Sequence, residues 1–351
     1  MAINLASKYE SQIITKWAKE SFVAGKFADK YSFSGVRSVS VYTPQTVDLS
    51  TYNRSASANR FGAPVEMQDT VQELTLEQEP SFAITIDKGN SADQMNIKGA
   101  GEMMQLQLKE KLVPFTDKYA LGVIAKHAGV SKVISAPTKS TVVGLLADGL
   151  TALDNAEVPE DMRMVFIGAS NYNSLRLADE FVAIHPLGQA SVGRGVVGSF
   201  MGAEVVKVPD SFMPTGVQFI IAHRDSAIIP MKLKTLRILT DVAGLDGALL
   251  EGRQYFDAFV LGQKANGIYA GVLTANKVAD PVITLTDDEA SVGAVSGVTF
   301  HYTLDGSDPR FSKSAVIYSG AVTLADGETI KVVGMADGKC DSNIVEETYS
   351  A

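Results

Sequence analysis

The feature that most constrains this fold is a long stretch of alternating apolar and polar residues, 38–92, that cannot build a core of its own. It leads to a tip rich in Ser, Asn and Arg at 51–62 and returns with the same two-residue period, which predicts an extended β-hairpin. The apolar residues are Val39, Val41 and Val47 on the outgoing limb and Val71, Leu74, Leu76, Phe82, Ile84 and Ile86 on the return. An isolated two-stranded ribbon is marginally stable in water, so we expect it to lie on a second copy of the chain. Assembly is therefore the first hypothesis.

Charge is distributed unevenly along the chain. Residues 1–37 carry six Lys and Arg against three Asp and Glu, whereas residues 275–351 carry five against twelve. The returning limb has six acids and no Lys or Arg between Glu66 and Asp87, while the tip carries two arginines. This pattern suits head-to-tail contact between copies, although ordinary solvated faces would also produce it. The candidate inter-subunit contacts are Trp17, Arg37, Arg54, Arg60, Glu73, Glu77 and Glu79.

The composition excludes several classes of function. A formal net charge of −9 argues against a general nucleic-acid binder. It still permits a protein that encloses DNA without binding it tightly. The single cysteine, Cys340, rules out an intrachain disulfide and cysteine-based metal sites. No two of the four histidines have the spacing of metal ligands. The N-terminus is charged throughout, unlike a signal peptide, and no apolar run is long enough to span a membrane.

No motif in the chain supplies recognisable catalytic chemistry. The glycines at 193–198 formally match G-x-G-x-x-G, but that fingerprint needs a strand before it and a helix after it, and neither is predicted here. We expect a glycine loop instead. The prediction is a protein that is not an enzyme, with no catalytic residues, no metal and no cofactor.

The remaining segments predict an α+β chain. Residues 4–23 have the pattern of an amphipathic helix, and a capping box at Ser91 begins a helical pattern that runs to His127, with Pro114 expected to kink it. Residues 140–274 read as alternating helices and strands. Beyond a boundary near 275, short strands separated by Asp-Gly turns predict a small β-sandwich with its own core, separable from the rest.

The order of these parts resembles the major capsid protein of tailed bacteriophages, with the Hong Kong 97-type fold. The resemblance covers residues 1 to about 274 and includes VPEDMRMVFIGASNYNSL at 158–175, GRGVVGSFMGAEVVKVPDSFMPTGVQFIIAHRDSAI at 193–228 and NGIYAGV at 266–272. It implies four parts: an N-terminal arm (1–37), an extended hairpin or E-loop (38–92), a spine helix with peripheral and axial domains (93–274), and an appended sandwich (275–351).

The C-terminal stretch 300–349 is similar to the immunoglobulin-like domain appended to chitobiases and other secreted glycosidases, and YTLDGSDP at 302–309 is the specific part of the resemblance. On capsid proteins such domains project outward, which implies decoration or weak surface adhesion. Phe311 and Tyr318 are the candidate aromatic residues for a weak glycan contact.

The resemblance implies a structural subunit that assembles into pentamers and hexamers of an icosahedral virion capsid. The shell would enclose double-stranded DNA without sequence-specific contacts, and the chain would be made in the cytoplasm of a bacterial host. A separate scaffolding protein and a portal are the further expected partners. Two alternatives stay open: an encapsulin-like nanocompartment shell protein and a carbohydrate-binding accessory protein.

Overall fold

The computed structural model describes residues 21–28, 31, 33, 36–47, 49–55, 57–64, 66–67, 69–93, 99–178, 196–240 and 242–350. Trp17 and most of the predicted N-terminal helix lie outside these residues, and the last predicted helical residues, 21–23, are not helical. The helices are α1 (Lys88–Asp93), α2 (Ala100–Gln107), a π-helical turn (Leu108–Leu112), α3 (Val113–Lys126), α4 (Val142–Asn155) and α5 (Ala169–Arg176). None of the helices so described is both long and apolar enough to cross a membrane.

The first thirteen strands belong to the hairpin and the body. They are β1 (Ser38–Pro44), β2 (Asp69–Thr75), β3 (Ser81–Asp87), β4 (Val130–Val133), β5 (Arg163–Gly168), β6 (Val196–Phe200), β7 (Ala203–Val208), β8 (Val217–His223), β9 (Ala227–Ile228), β10 (Met231–Leu239), β11 (Gly247–Phe256), β12 (Phe259–Val260) and β13 (Ile268–Val272). The remaining strands form the C-terminal module: β14 (Ile283–Thr286), β15 (Glu289–Val292), β16 (Thr299–Thr303), β17 (Val316–Ile317), β18 (Val322–Thr323), β19 (Thr329–Met335) and β20 (Val345–Thr348).

The core of the body is a mixed six-stranded sheet in the order β4-β13-β8-β5-β7-β6. Its inner strands are covered on both faces, since every residue of β5 and β13 is buried. The α3 helix and the segment around Phe22 and Phe27 cover one face, while α4 packs on the other through Leu146, Leu150 and Leu153. This sheet is the rigid base from which the peripheral parts extend.

The predicted 38–92 hairpin is correct only for its first half. β1 and β2 pair antiparallel from Ser38 opposite Thr75 to Pro44 opposite Asp69. The remainder of the returning limb, β3, leaves the hairpin and pairs with β11 in a second sheet of order β10-β11-β3. Alternating residues predict a strand but not its partner, because the backbone hydrogen bonds of any antiparallel neighbour are alike.

The predicted spine helix is interrupted and starts earlier than the sequence indicates. Helix α1 begins at Lys88, and the Asp87 carboxylate accepts a hydrogen bond from the Asn90 amide at 2.9 Å, so Asp87 rather than Ser91 caps it. The π-helical turn lies directly before Pro114, which occupies the first turn of α3. The irregularity falls where the missing proline N–H was expected to disturb the helix.

The C-terminal module consists of a three-stranded sheet, β14-β15-β18, and a four-stranded sheet, β17-β16-β19-β20. Phe300, Ile330 and Val332 are buried between them, as the two-residue period predicts. Tyr302 is half-buried against the same core. The module therefore has a core of its own, as expected of a small sandwich.

Candidate assembly surface

The base of the β1–β2 hairpin lies on the body of its own chain. Leu74 and Leu76 are fully buried in a small cluster with apolar residues of the body. The side-chain amide of Gln72 donates to the carbonyl of Val260 at 2.8 Å and accepts from the amide of Gly262 at 3.0 Å. The base is thus fixed on its own subunit, and only its exposed side chains and the part beyond Pro44 and Asp69 can face another copy.

The part of the hairpin beyond β1 and β2, which we call the tip from here on, comprises the described residues of 45–67, that is, all but 48, 56 and 65. Most of them are exposed, and the tip is less polar than the sequence suggests. The Tyr52 and Phe61 rings meet edge to face with centroids 4.8 Å apart, and the Asn53 amide donates to the Arg60 carbonyl at 2.9 Å. Exposed aromatic residues and arginines are enriched where proteins bind one another, and monomers rarely expose large apolar patches. The exposed apolar residues of the tip are Val47, Leu49, Tyr52, Phe61 and Met67.

The acidic residues of the returning limb fall into two groups. Glu73 and Glu77 are exposed at the base of the hairpin, and the Glu77 amide donates to the Asp257 carboxylate at 2.8 Å. Glu79 instead forms an ion pair with Arg253 of β11. The structure therefore leaves Glu73 and Glu77 as candidates for contact between copies, while Glu79 has a partner within the chain.

The arginine candidates occupy two places. Arg54 and Arg60 are both exposed at the tip. Arg37 lies at the foot of the hairpin, where its Nε donates to the Leu76 carbonyl at 3.3 Å. Arg37 therefore helps to hold the hairpin on the body, whereas Arg54 and Arg60 stay candidates for contact between copies.

A second exposed surface is strand β10, which forms the edge of the β10-β11-β3 sheet. It carries three cationic residues and no acid, and all but its last residue are exposed. Arg237 pairs with Glu251 of β11 at 2.6 Å, so the cations of this strand without an acidic partner among the described residues are Lys232 and Lys234. Leu236 and Ile238 lie on the sheet face that β11 presents to the spine helices, and they are 37% and 42% exposed there. An uncovered edge strand is a template for pairing with another chain. β10 thus exposes apolar and cationic side chains on the same strand. This combination suits contact with an acidic surface of another chain.

Negative charge collects in a groove of about 330 Å³ between the hairpin base and α3. Glu73, Glu77 and Asp257 line it, and the Tyr119 hydroxyl donates to the Asp257 carboxylate at 2.7 Å. Burial, followed by the hydrogen bond to Asp257, raises the pKa of Tyr119 far above its usual value. Asp257 is buried, and Arg310 and His127 also line the groove. The exposed acids of the hairpin base are therefore Glu73 and Glu77, opposite in sign to the cations of β10.

The structure offers little for a metal or a nucleotide. Among the residues that it describes, no group of three or more His, Cys, Asp or Glu is placed to hold a metal ion. The last glycine of the G-x-G-x-x-G match, Gly198, lies within strand β6. A strand in place of the helix removes the helix N-terminus that a pyrophosphate requires.

The rings considered for glycan contact are used in packing. Phe311 packs against the core of the body and meets the His127 ring edge to face at 5.6 Å. Tyr318 packs on the core of the C-terminal module, and its hydroxyl accepts a hydrogen bond from the Val292 amide at 3.0 Å. These two residues do not form an open aromatic platform.

Sequence reasoning missed the apolar content of the tip and the exposed edge of β10. The signal for the tip was present, because Leu49, Phe61 and Met67 stand among its polar residues. The signal for β10 was its alternation of Leu and Ile with Lys and Arg, which indicates a strand but not its place in a sheet. Whether a strand is central or at an edge depends on its neighbours.

Comparisons with known proteins agree with the architecture. The model of the Fn3 associated family matches residues 283–349, whereas no curated protein matches the chain. A solved structure from Mycobacterium phage Che8 is 19% identical with a TM-score of 0.58, covering 77% of this chain and 98% of that one. The capsid of the cyanophage P-SCSP1u is 12% identical with a TM-score of 0.59, covering 77% and 93%. The mature capsid of bacteriophage PhiM1 is 10% identical with a TM-score of 0.58, covering 77% and 92%.

At such low identities the likeness concerns the fold. The chain has the α+β fold of these phage structures, the Hong Kong 97-type fold, which confirms the predicted fold class. The match at 283–349 confirms the predicted immunoglobulin-like module at the C-terminus.

Proposed function

We propose that this chain is the structural subunit of an icosahedral phage capsid, which assembles with copies of itself and encloses double-stranded DNA. Its role is structural rather than catalytic. The observation that carries the proposal is the hairpin, whose base is fixed on the body while its tip exposes large apolar side chains. Such a tip needs a partner, and capsids of the same fold provide the precedent for a second copy.

The charge pattern supports contact between identical chains. The hairpin base is acidic and strand β10 is basic, so one copy can present its base to the β10 edge of the next. A contact between two different patches is heterologous, and heterologous contacts close into rings when the rotation between copies permits. Pentamers and hexamers are rings of this kind.

The first test is electron microscopy of the purified chain beside a variant with a polar tip. We expect closed shells from the parent chain, and dispersed folded subunits from Leu49→Ser with Phe61→Ser, because that variant loses two exposed apolar anchors. Circular dichroism and thermal unfolding would establish that the variant stays folded.

The matched control is Val316→Ser with Ile317→Ser, which removes two exposed apolar residues from β17 of the C-terminal module. This control should form shells like those of the parent. Normal shells from the tip variant would contradict the proposal.

The contents of the particles distinguish the capsid from an encapsulin-like nanocompartment. Nuclease-protected double-stranded DNA supports a virion, whereas a packaged enzyme supports a compartment. A scaffolding protein and a portal belong to the capsid proposal as further partners. A carbohydrate-binding accessory role would require saturable glycan binding by dispersed chains, and the packing of Phe311 and Tyr318 argues against it.

A further inference from the structure

The C-terminal module is joined to the body by buried contacts as well as by the chain. Cys340 lies in the main core cluster of the body, and Phe311 packs against the same cluster. The His127 ring contacts Phe311, and its Nδ1 lies 2.6 Å from the carboxylate of the fully buried Asp341. Flexible appendages do not share a core with the domain that carries them.

The module also supplies hydrogen-bond donors to the C-terminal end of α3. The Asp341 amide donates to the carbonyl of Lys126, the last residue of the helix, at 2.9 Å. The Arg310 guanidinium donates to the Ala128 carbonyl at 2.6 Å and to the Asp308 carboxylate at 2.6 Å, with its side chain only 1% exposed. The carbonyls at and just beyond the end of a helix lack partners within it and favour a nearby cation. Arg310 is well suited to this position, since Ala128 lies two residues past the end of α3.

The same loop of the module contacts the hairpin. The Lys313 amide donates to the Val71 carbonyl of β2 at 3.2 Å, and Ser312 forms a bridge with Gln72. Farther out, the Gln45 side-chain amide donates to the Asp305 carbonyl at 2.9 Å, at the point where β1 ends and the tip begins. Residues 305–313 therefore span the distance from the end of α3 to both limbs of the hairpin.

We infer that the C-terminal module is a brace that holds the β1–β2 hairpin against the end of α3. The reason is mechanical: a two-stranded ribbon is marginally stable alone, and here its inner side rests on the body while the module fastens its edge. This assigns the module an internal role in addition to the predicted outward-facing one. In a shell, the brace would also fix the direction in which the tip points. That consequence rests on the proposed function, whereas the brace itself does not.

Hydrogen exchange on dispersed chains tests the brace without requiring assembly. Arg310→Ala removes the donor to α3, and Phe311→Ala removes apolar contact without leaving an unpaired buried charge. In both variants we expect amides of β1 and β2 to exchange roughly tenfold faster or more, while β16, β19 and the central strand β5 keep their protection. If Arg310→Ala also loses protection in β5, that variant is destabilised as a whole. The test then rests on hairpin exchange in Phe311→Ala and in the peripheral variant Gln45→Ala.

The control is Lys331→Ala, which removes a cation from the module's own sheet, where Lys331 pairs with Glu346 at 3.3 Å. It should leave hairpin exchange unchanged. Hairpin exchange that stays at the parent rate in both Phe311→Ala and Gln45→Ala would overturn the inference. Failure to form shells would count against the proposed function and leave the brace untouched, so the two failures are distinguishable.

Discussion

Asp117 on α3 ties the start of the described chain to the body. It is fully buried and accepts hydrogen bonds from the Ser21 hydroxyl at 2.5 Å and the Phe22 amide at 2.8 Å. Burial raises the pKa of Asp117, and these hydrogen bonds oppose the rise. The residue therefore acts as an anchor, whose loss would leave two donors without their acceptor.

We expect Asp117→Ala to lower the free energy of unfolding by about 2–3 kcal/mol, because hydrogen bonds to a charged group are lost and buried donors are left unsatisfied. Urea denaturation followed by circular dichroism measures the change. Lys111→Ala, at an exposed position near the start of the same helix run, should change it by less than about 0.5 kcal/mol. Equal stabilities for the two variants would refute the anchoring role.

Asp280 makes the attachment of the C-terminal module sensitive to acid. Burial raises its pKa, but hydrogen bonds from Lys277 at 2.5 Å and from the Asn343 amide at 2.8 Å outweigh burial and leave the pKa below its usual value. A depressed pKa means that the stabilisation is complete above the unfolded value of about 3.9 and is lost as the pH falls through the folded value.

The prediction is that Asp280→Asn destabilises the chain at pH 6 and that the difference from the parent shrinks at pH 3. Denaturant unfolding at both pH values measures this. A difference that is the same at pH 3 and pH 6 would show that the charge of Asp280 contributes nothing. Asp326→Asn, in an Asp-Gly turn of the module outside this junction, serves as a comparison.

At the scale of elements, the β10-β11-β3 sheet depends on a glycine in its middle strand. Gly252 of β11 lies opposite Phe82 of β3 and Leu236 of β10. A Cβ at this position would come within 2.3 Å of the Phe82 ring and 3.1 Å of Leu236. The absence of a side chain is what allows the Phe82 ring to lie across β11.

Gly252→Val should therefore lower the free energy of unfolding by about 1–3 kcal/mol through overpacking. Adding Phe82→Ala should remove much of the clash, so that the two losses are less than additive in a double-mutant cycle. Ala83→Val, on the exposed face of β3, is the matched control. Strict additivity of the Gly252 and Phe82 losses would count against this packing.

For the whole molecule, the acidic hairpin base and the basic β10 edge provide a test of head-to-tail assembly. Glu73→Lys with Glu77→Lys should prevent shell formation while the subunit stays folded, because like charges would then face each other between copies. Glu79 is left unchanged since it pairs with Arg253 inside the chain. Sedimentation velocity separates shells from subunits.

The control for that variant is Glu289→Lys with Glu347→Lys, which changes the net charge equally on exposed positions of the C-terminal module. Shells from the control and none from the hairpin variant would place the contact at the hairpin base. Shells from both variants would show that the acidic residues of the returning limb are ordinary solvated surface with no role in assembly.

The sequence by itself determined most of the strands and helices. It also determined the place near residue 275 where short strands separated by Asp-Gly turns begin. Side-chain period follows from local geometry, so β1, β2, the spine region around Pro114 and the C-terminal sandwich were predictable. The exposed position of Glu73 was predictable for the same reason, and those of Arg54 and Arg60 from the polar composition of the tip.

Only the tertiary structure decided which elements meet. The partner of β3 is β11, far along the chain, and Glu79 is consequently neutralised by Arg253. The end of α3 is completed by Arg310 and Asp341 from a module that looked separable. Local patterns record the face of a strand but not its neighbour, because backbone hydrogen bonds are the same for every partner, and the choice is made by packing distant side chains together.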